Sequence, residues 1–299
     1  MTGPIRPTTM REPFPGLDLS AGELHTLVER ALAEDLGRGD VTTRLTIPEG
    51  QQARGAFMAK EDLVIAGLPV AAEVFRALEA SSICEAAVEE GMEVRAGTRL
   101  AVVAAASATL LAGERVALNF LQRLCGIATL TRQLKSRLAG LDVALRDTRK
   151  TTPGLRALEK YAVRVGGGEN HRLRLDDGIL IKNNHLRLAG GVRAAVERAR
   201  SLRPSVAPDL PIEVEVRSLT ELREALDVGA EVALLDNMMP TEVRECVAVA
   251  AGRARLEVSG GINAANIRAY AETGVNAISV GTLTHSAPAA DINFLIEPL

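Results

Sequence analysis

The chain has 299 residues, enough for one large domain or two smaller ones with real cores. Aromatics are only 2% and Trp is absent, so Ala, Val and Leu must fill the interior, which suits helices packed on a sheet better than a β-sandwich. A formal net charge of -3 argues against general nucleic-acid binding, and no apolar run reaches the ~18 residues of a membrane span.

The start, "MTGPIRPTTMREPFPGLDLS", has no apolar h-region and reads as a flexible tail over residues 1–19, not a secretory signal. Cys84, Cys125 and Cys246 are isolated, so neither a disulfide framework nor a structural zinc site is expected, and a cytoplasmic location is. Leu24, Leu27, Val28, Ala31 and Leu32 have helical spacing, and Ser20 with Glu23 forms a capping box before them. "GRGDVTT" reads as a turn. Strands follow in "ARGAFMAK" and "LVIAGL", then a helix over 69–78 and further strands broken at Gly91 and Gly97. Gly91, Val94, Gly97 and Leu100 have the spacing of turns in biotin- or lipoate-carrying domains. No lysine stands at a hairpin tip here, so a structural hairpin is the better reading. A long helix over 113–138 then places Val116, Phe120 and Leu124 on one face and Arg115 with Asn119 on another.

After residue 140 the texture changes. Apolar or alternating runs end in polar residues at 143–148, 178–184, 212–216, 232–237, 256–261 and 277–282. Helices are expected between them, over 155–164, 190–202, 218–227, 240–251 and 263–273, with Ser218 and Asn263 as N-caps and Gly229 and Gly274 past helix ends. This βα repeat implies parallel strands with right-handed crossovers. Closed into a ring it is a TIM-like barrel, with six strands legible where a full ring has eight.

In such barrels chemistry gathers at the carboxyl ends of strands. Those ends carry Asp147 with Arg149 and Lys150, then Lys182 with Asn183, Glu215, Asp236, Ser259 with Gly260 and Gly261, and Gly281. Alternation in "IEVEV" points Glu213 and Glu215 inward, and a carboxylate there needs a metal or a cation, Lys182 being one candidate. Asp236 is placed to hold ribose hydroxyls or Mg²⁺, or else to make an Asx turn. "SGGI" and "SVGT" resemble a phosphate cradle, in which missing side chains let backbone N–H groups reach oxyanions; tight packing is the other reason for such glycines. Cations remain in surplus at the mouth: Arg149, Lys150, His171, Arg172, Lys182, His185 and Arg115. That surplus suits a ligand with several phosphates or carboxylates, Arg on planar carboxylates and Lys as a point charge. There is no dinucleotide fingerprint, no P-loop, no HExxH and no paired-cysteine site. "LDDG" at 175–178 lacks a Thr/Gly-rich phosphate loop and reads as a turn.

The segments "DTRKTTPGLRALEKYAVRVGGGENHRLRLDDGILIKNNH", "IEVEV", "LLDN", "SGGIN" and "VGTLTHS", with "EDLGRGDVTT" and "GERVALNFLQRLCGIAT", resemble the quinolinate phosphoribosyltransferase family over residues 20–299. The resemblance implies an α/β fold: an N-terminal α/β-sandwich domain over 20–125, joined by 286–299, and an incomplete, six-stranded TIM-like barrel over 126–285. It implies a homodimer with a site shared across subunits, small-molecule substrates and Mg²⁺. Arg149, His171, Arg172 and Lys182 would hold the two pyridine carboxylates, with Arg115 from the partner subunit and Thr148 beside them. Lys150, Glu215 and Asp236 would be catalytic, the two acids also binding the metal. Ser259, Gly260, Gly261, Gly281, Thr282 and His285 would take the 5′-phosphate side. Arg146 and Arg156 are not part of this assignment: Arg146 is expected to face the opposite side of its strand end, and Arg156 to face solvent on the next helix. A same-fold phosphoribosyltransferase with another acceptor, or a non-catalytic phosphate-ligand-binding barrel, are the alternatives.

Overall fold

The computed structural model describes residues 8–9 and 16–299, so most of the expected 1–19 tail lies outside the described residues. The chain divides into two compact units. One holds the described residues up to Arg132 with Ala157–Gly167 and Ala287–Leu299; the other holds Gln133–Arg156 and Gly168–Ser286.

In chain order the first unit contains β1 (Thr8–Thr9), α1 (Ala21–Leu36), α2 (Val41–Thr46), β2 (Gln52–Ala59), β3 (Leu63–Val64), α3 (Leu68–Leu78), β4 (Ile83–Ala86), β5 (Glu93–Val94), β6 (Arg99–Ala106) and most of α4 (Ser107–Ser136). Then come β7 (Ala144–Arg146), α5 (Arg156–Val165), β8 (Ile179–Ile181), α6 (Asn183–Ala189), α7 (Val192–Val206), β9 (Ile212–Val216), α8 (Leu219–Asp227), β10 (Val232–Asp236), α9 (Pro240–Ala250), β11 (Arg255–Ser259), α10 (Ile267–Ala271), β12 (Ala277–Ser279), α11 (Thr282–His285) and β13 (Ile292–Pro298).

The capping box forms as expected at α1, where Glu23 N donates to Ser20 Oγ and Ser20 N to Glu23 Oε2. Leu24, Val28 and Leu32 make its buried stripe. "GRGDVTT" is more than a turn. Gly37 and Gly39 take positive φ to end α1, and Asp40 then caps α2 by accepting from Thr43 N at 3.0 Å. The main sheet here is antiparallel, in the order β1-β4-β6-β2-β13. Phe57, Phe75 and Phe294 cluster beneath it with ring centroids 4.5–6.2 Å apart, so three of the chain's seven aromatics share one core.

The second unit is a six-stranded parallel sheet in the order β7-β12-β11-β10-β9-β8, with helices in the connections. The first strand in sequence therefore pairs with the last, as in a barrel. On its other edge β7 makes one parallel bridge, Arg146 to Glu169, in place of a ladder. This is the incomplete α/β barrel expected from the repeat.

Two helices differ from expectation. The helix expected over 190–202 forms as α7, and a further short helix, α6, precedes it, the two separated by Gly190 and Gly191 with φ of 91° and 119°. Asn263 does not cap a helix. Its Oδ1 accepts Ala265 N at 2.9 Å in a turn, and α10 starts only at Ile267. Ser218 caps α8 as expected, accepting from Glu221 N at 3.2 Å.

Candidate active site

The site begins at Asp147, which is fully buried one residue past β7. Its carboxylate accepts Asn170 Nδ2 at 2.6 Å and the His171 backbone N–H at 2.9 Å. A charge buried this deeply is stable only with such donors, so the bonds tie the "DTRK" segment to the "NHR" segment. Thr148 Oγ1 accepts Lys150 N at 3.1 Å, and Thr284 Oγ1 donates to Lys150 O at 2.8 Å, which shapes the turn that presents Arg149 and Lys150.

A cavity of about 300 Å³ opens at the carboxyl ends of the strands. Thr148, Arg149, Lys150, His171, Arg172, Lys182, Glu215, Asp236 and Ser259 all line it, with Leu180, Leu234, Glu257 and Ser279. Sheet order sorts these by charge. The cations stand after β7 and β8 and on the loop between them, the strand-end acids at β9 and β10, and hydroxyl- and glycine-bearing ends at β11 and β12, with Glu257 deeper on β11.

Arg149 and Arg172 each bury an Nε with no hydrogen-bond partner among the described residues. Burial, then the Arg149 charge, draws the Arg172 guanidinium below the usual arginine range. Two guanidiniums held this way favour an anion in the cavity they line. At the acidic side Glu215 is buried and its pKa lies above the ordinary glutamate value, because of burial first and the charge of Asp236 second; Lys182 and Arg217 act against this. Glu215 Oε1 accepts Asn183 Nδ2 at 2.5 Å, and Asp236 Oδ2 accepts Arg217 Nε at 3.1 Å. No Glu215–Lys182 ion pair forms among the described residues; Lys182 acts on Glu215 through its field.

The other expected residues fall outside this lining. Gly281 and His285 lie against Lys150: a Cβ on Gly281 would stand 3.2 Å from Lys150 Cδ and 3.1 Å from His285 Nε2. Thr282 opens α11 and is half-buried. Gly260 has a φ of 103°, and a Cβ there would collide with the Asn237 side chain, whose Nδ2 donates to Asp236 Oδ1 at 2.9 Å. Gly261 has a φ of 64° with open space around it. Gly260→Ala should therefore destabilise the protein by about 1–3 kcal/mol and more than Gly261→Ala, measured by thermal melts. Arg115 is exposed on α4 in the first unit.

Two cations are not where the sequence placed them. Arg146 faces the interior, with Nη1 donating to Glu257 Oε2 at 2.9 Å and Nε 3.4 Å from Glu169 Oε2. Arg156 is half-buried, bonding Thr151 Oγ1 at 3.0 Å and Leu173 O at 3.2 Å, so it braces the loops that carry the cations. Glu257 and Ser279, whose hydroxyl donates to Glu257, went unread as site residues. The signal existed: each stands two residues before a site residue, Ser259 and Gly281, and so shares its face of the strand. Asp147 was legible as a strand-end acid but not as a buried anchor for the next loop, and Asn170 carried no comparable signal.

His171 lines the cavity and lies 3.1 Å from Glu213 Oε2 and 3.8 Å from Glu257 Oε1. Burial opposes charge on the ring. The bond to Glu213 and the charges of Glu213 and Glu257 outweigh it, so the pKa lies above the ordinary histidine value, with Arg146 opposing. A second cavity of about 420 Å³ lies at the amino ends of the strands, lined by Arg146, Glu213 and Arg255 among others, and shares His171, Arg172 and Glu257 with the first.

Fold and site together define a class: an α/β-barrel protein that takes a polyanionic small molecule at its strand carboxyl ends, cations on one side and a carboxylate pair on the other. The chain belongs to the quinolinate phosphoribosyl transferase family, whose N-terminal domain matches residues 40–125 and whose C-terminal domain matches residues 127–295. It is 44% identical over 274 residues to a probable nicotinate-nucleotide pyrophosphorylase [carboxylating] of Synechocystis, covering 90% of this chain and 91% of that one. The nicotinate-nucleotide pyrophosphorylase [carboxylating] of Mycobacterium leprae is also 44% identical, over 89% of this chain and 94% of its own. The crystal structure of NadC from Streptococcus pyogenes superposes with a TM-score of 0.89 at 37% identity, covering 94% of this chain and 99% of that one.

Proposed function

We propose that the chain converts quinolinate and phosphoribosyl pyrophosphate into nicotinate mononucleotide, pyrophosphate and CO₂, the reaction of its family. The observation that carries this reading is the pair of buried, unpartnered arginine Nε atoms facing a carboxylate pair across one small cavity. A planar diacid satisfies Arg149 and Arg172 bidentately, with Lys182 nearby. Lys150, beside Gly281 and His285, is assigned to pyrophosphate, and Ser259 with Gly260, Gly261, Gly281 and Thr282 to the 5′-phosphate. A pyridine acceptor with one carboxylate would leave part of the clamp unpaired.

Glu215 and Asp236 fit a Mg²⁺ ion. They are hard oxygen donors on adjacent strands, and burial and the charge of Asp236 disfavour the charged form of Glu215, which a further cation would relieve. Two carboxylates with substrate oxygens completing the shell is the usual way this ion is held. When bound it supplies charge neutralisation for the departing pyrophosphate.

The protein's own groups do the rest. Lys150 draws electron density toward the pyrophosphate as the ribose C1–O bond breaks and the electron pair leaves with that oxygen. Positive charge develops at C1, and Glu215 and Asp236 stabilise it. The clamp holds the quinolinate nitrogen against C1, its lone pair forms the new N–C1 bond, and no general base is needed. The alkylated ring then accepts the electrons of the C2–carboxylate bond as CO₂ departs, and C2 takes a proton.

A homodimer completes this reading, with Arg115 entering a partner copy's cavity. Its exposure on α4 and the surplus of cations called for by a doubly charged acid support that assignment. Mixing Arg115→Ala subunits with Lys150→Ala subunits should restore part of the activity both lose alone; no restoration under demonstrated exchange would overturn the shared site. No helix among the described residues is long and apolar enough to cross a membrane, and the three cysteines are free and buried, which supports a cytoplasmic location.

The deciding experiment is turnover with quinolinate against nicotinate, following CO₂ release. Quinolinate-dependent CO₂ is expected. Turnover of nicotinate alone would point to a different acceptor, and phosphoribosyl pyrophosphate binding without turnover to a non-catalytic binder.

A further inference from the structure

His171 uses both ring nitrogens within the protein. Nδ1 lies 2.8 Å from the backbone nitrogen of Arg172. That N–H can only donate, so Nδ1 is an acceptor and bears no proton. The ring proton is then on Nε2, directed at Glu213 Oε2 at 3.1 Å. In this form the ring is neutral and has no N–H left for a substrate carboxylate. What the loop offers the cavity instead is the Arg172 guanidinium, braced by Nη1 donating to Gly178 O at 2.9 Å. Glu257 is engaged elsewhere: Arg146 and Ser279 both donate to it. His171, Glu213 and Glu257 stand close enough to hold a cation, but Arg146 already supplies that charge.

We propose that Glu213 is a positioning residue: by holding the proton on His171 Nε2 it keeps Nδ1 free to anchor the Arg172 backbone, and through that anchor it aims the Arg172 guanidinium at the ligand carboxylate. His171 is thus an acceptor that shapes the clamp, not a cation within it. The inference rests on the reading that the diacid occupies this cavity.

The charged groups facing His171 set the pH behaviour. They are Glu213 from β9, Glu257 from β11, Arg146 from β7 and Arg172 on its own loop. A second ring proton can go only to Nδ1, where it opposes the Arg172 N–H. Acidification through the His171 pKa therefore weakens quinolinate binding. Were the imidazolium itself the ligand, binding would weaken in the other direction, as pH rises.

The test compares the full-length protein with Glu213→Gln and Glu213→Leu, reading quinolinate affinity by titration and KM for both substrates. Gln removes the charge but keeps an acceptor oxygen for Nε2–H; Leu removes both. Leu should weaken quinolinate binding by about tenfold, leaving KM for phosphoribosyl pyrophosphate nearly unchanged, while Gln stays within about threefold of wild type. Gln as damaging as Leu, or wild-type affinity that rises on acidification, would overturn the proposal. If Leu does not fold, Gln and the wild-type pH profile decide alone. Should the wild type neither bind nor turn over quinolinate, the functional reading fails instead. The tautomer then remains readable in the ligand-free protein, because the chain has only four histidines and ¹⁵N shifts resolve them. Nε2–H with bare Nδ1 above the pKa supports the inference, and Nδ1–H overturns it.

Discussion

Replacing Arg149 with Ala should weaken quinolinate binding by about 2–5 kcal/mol, the range for truncating one side of a buried, hydrogen-bonded charge pair. The cause lies in the unliganded site. The Arg149 Nε is buried without a partner and the Arg172 guanidinium beside it is already disfavoured by burial and by the Arg149 charge, so the pair is held in a state that only an anion relieves. Lysine should not rescue: it restores charge but not the planar fork. Titration with quinolinate and with nicotinate checks this. Near-wild-type quinolinate affinity in Arg149→Ala would remove Arg149 from the clamp.

Glu215→Gln should lower kcat by about 10²–10³-fold, the scale for removing one preorganised electrostatic group, and yet raise thermal stability. Glu215 titrates above its ordinary value because burial and Asp236 disfavour its charge. Its ionised form is therefore a liability to the fold. At pH below about 4.3 both folded and unfolded chains carry the acid protonated, and wild type and variant should melt alike. As pH rises from there through the elevated folded pKa, the wild type loses stability relative to the variant, and above it the gap is constant. Melting curves across that window, with a chelator present, read the sign directly. A variant less stable than wild type at neutral pH would contradict it. Such opposition between stability and activity is common where a site concentrates like charges.

Much of the barrel was legible because a strand has period two. "IEVEV" puts Glu213 and Glu215 on one face, and in the structure Glu215 lines the upper cavity and Glu213 the space beneath it. The same rule reaches Glu257 from Ser259 and Ser279 from Gly281. The βα spacing of the later strands matches a parallel ladder whose register pairs Leu234 with Glu215 and Asp236 with Ser259. Short helices were weaker: α6, ended by Gly190 and Gly191, was not expected, and Asp40 made a helix out of an expected turn.

The four cations of "LRDTRKTTPGLR" show where local rules stop. Nothing within that segment separates Arg146, which pairs with Glu257 across 111 positions of sequence, from Arg149, which has no partner for its Nε. Asp147 is decisive, and its role depends on Asn170 and His171, more than twenty residues away. By itself the sequence determined that Glu213, Glu215, Asp236 and Ser259 face inward, because strand alternation and the βα repeat are local and follow from backbone geometry. Only the tertiary structure decided which inward charges neutralise one another and which are left for a ligand, because that depends on loops folding back across the barrel and on burial, where an unpaired charge becomes costly.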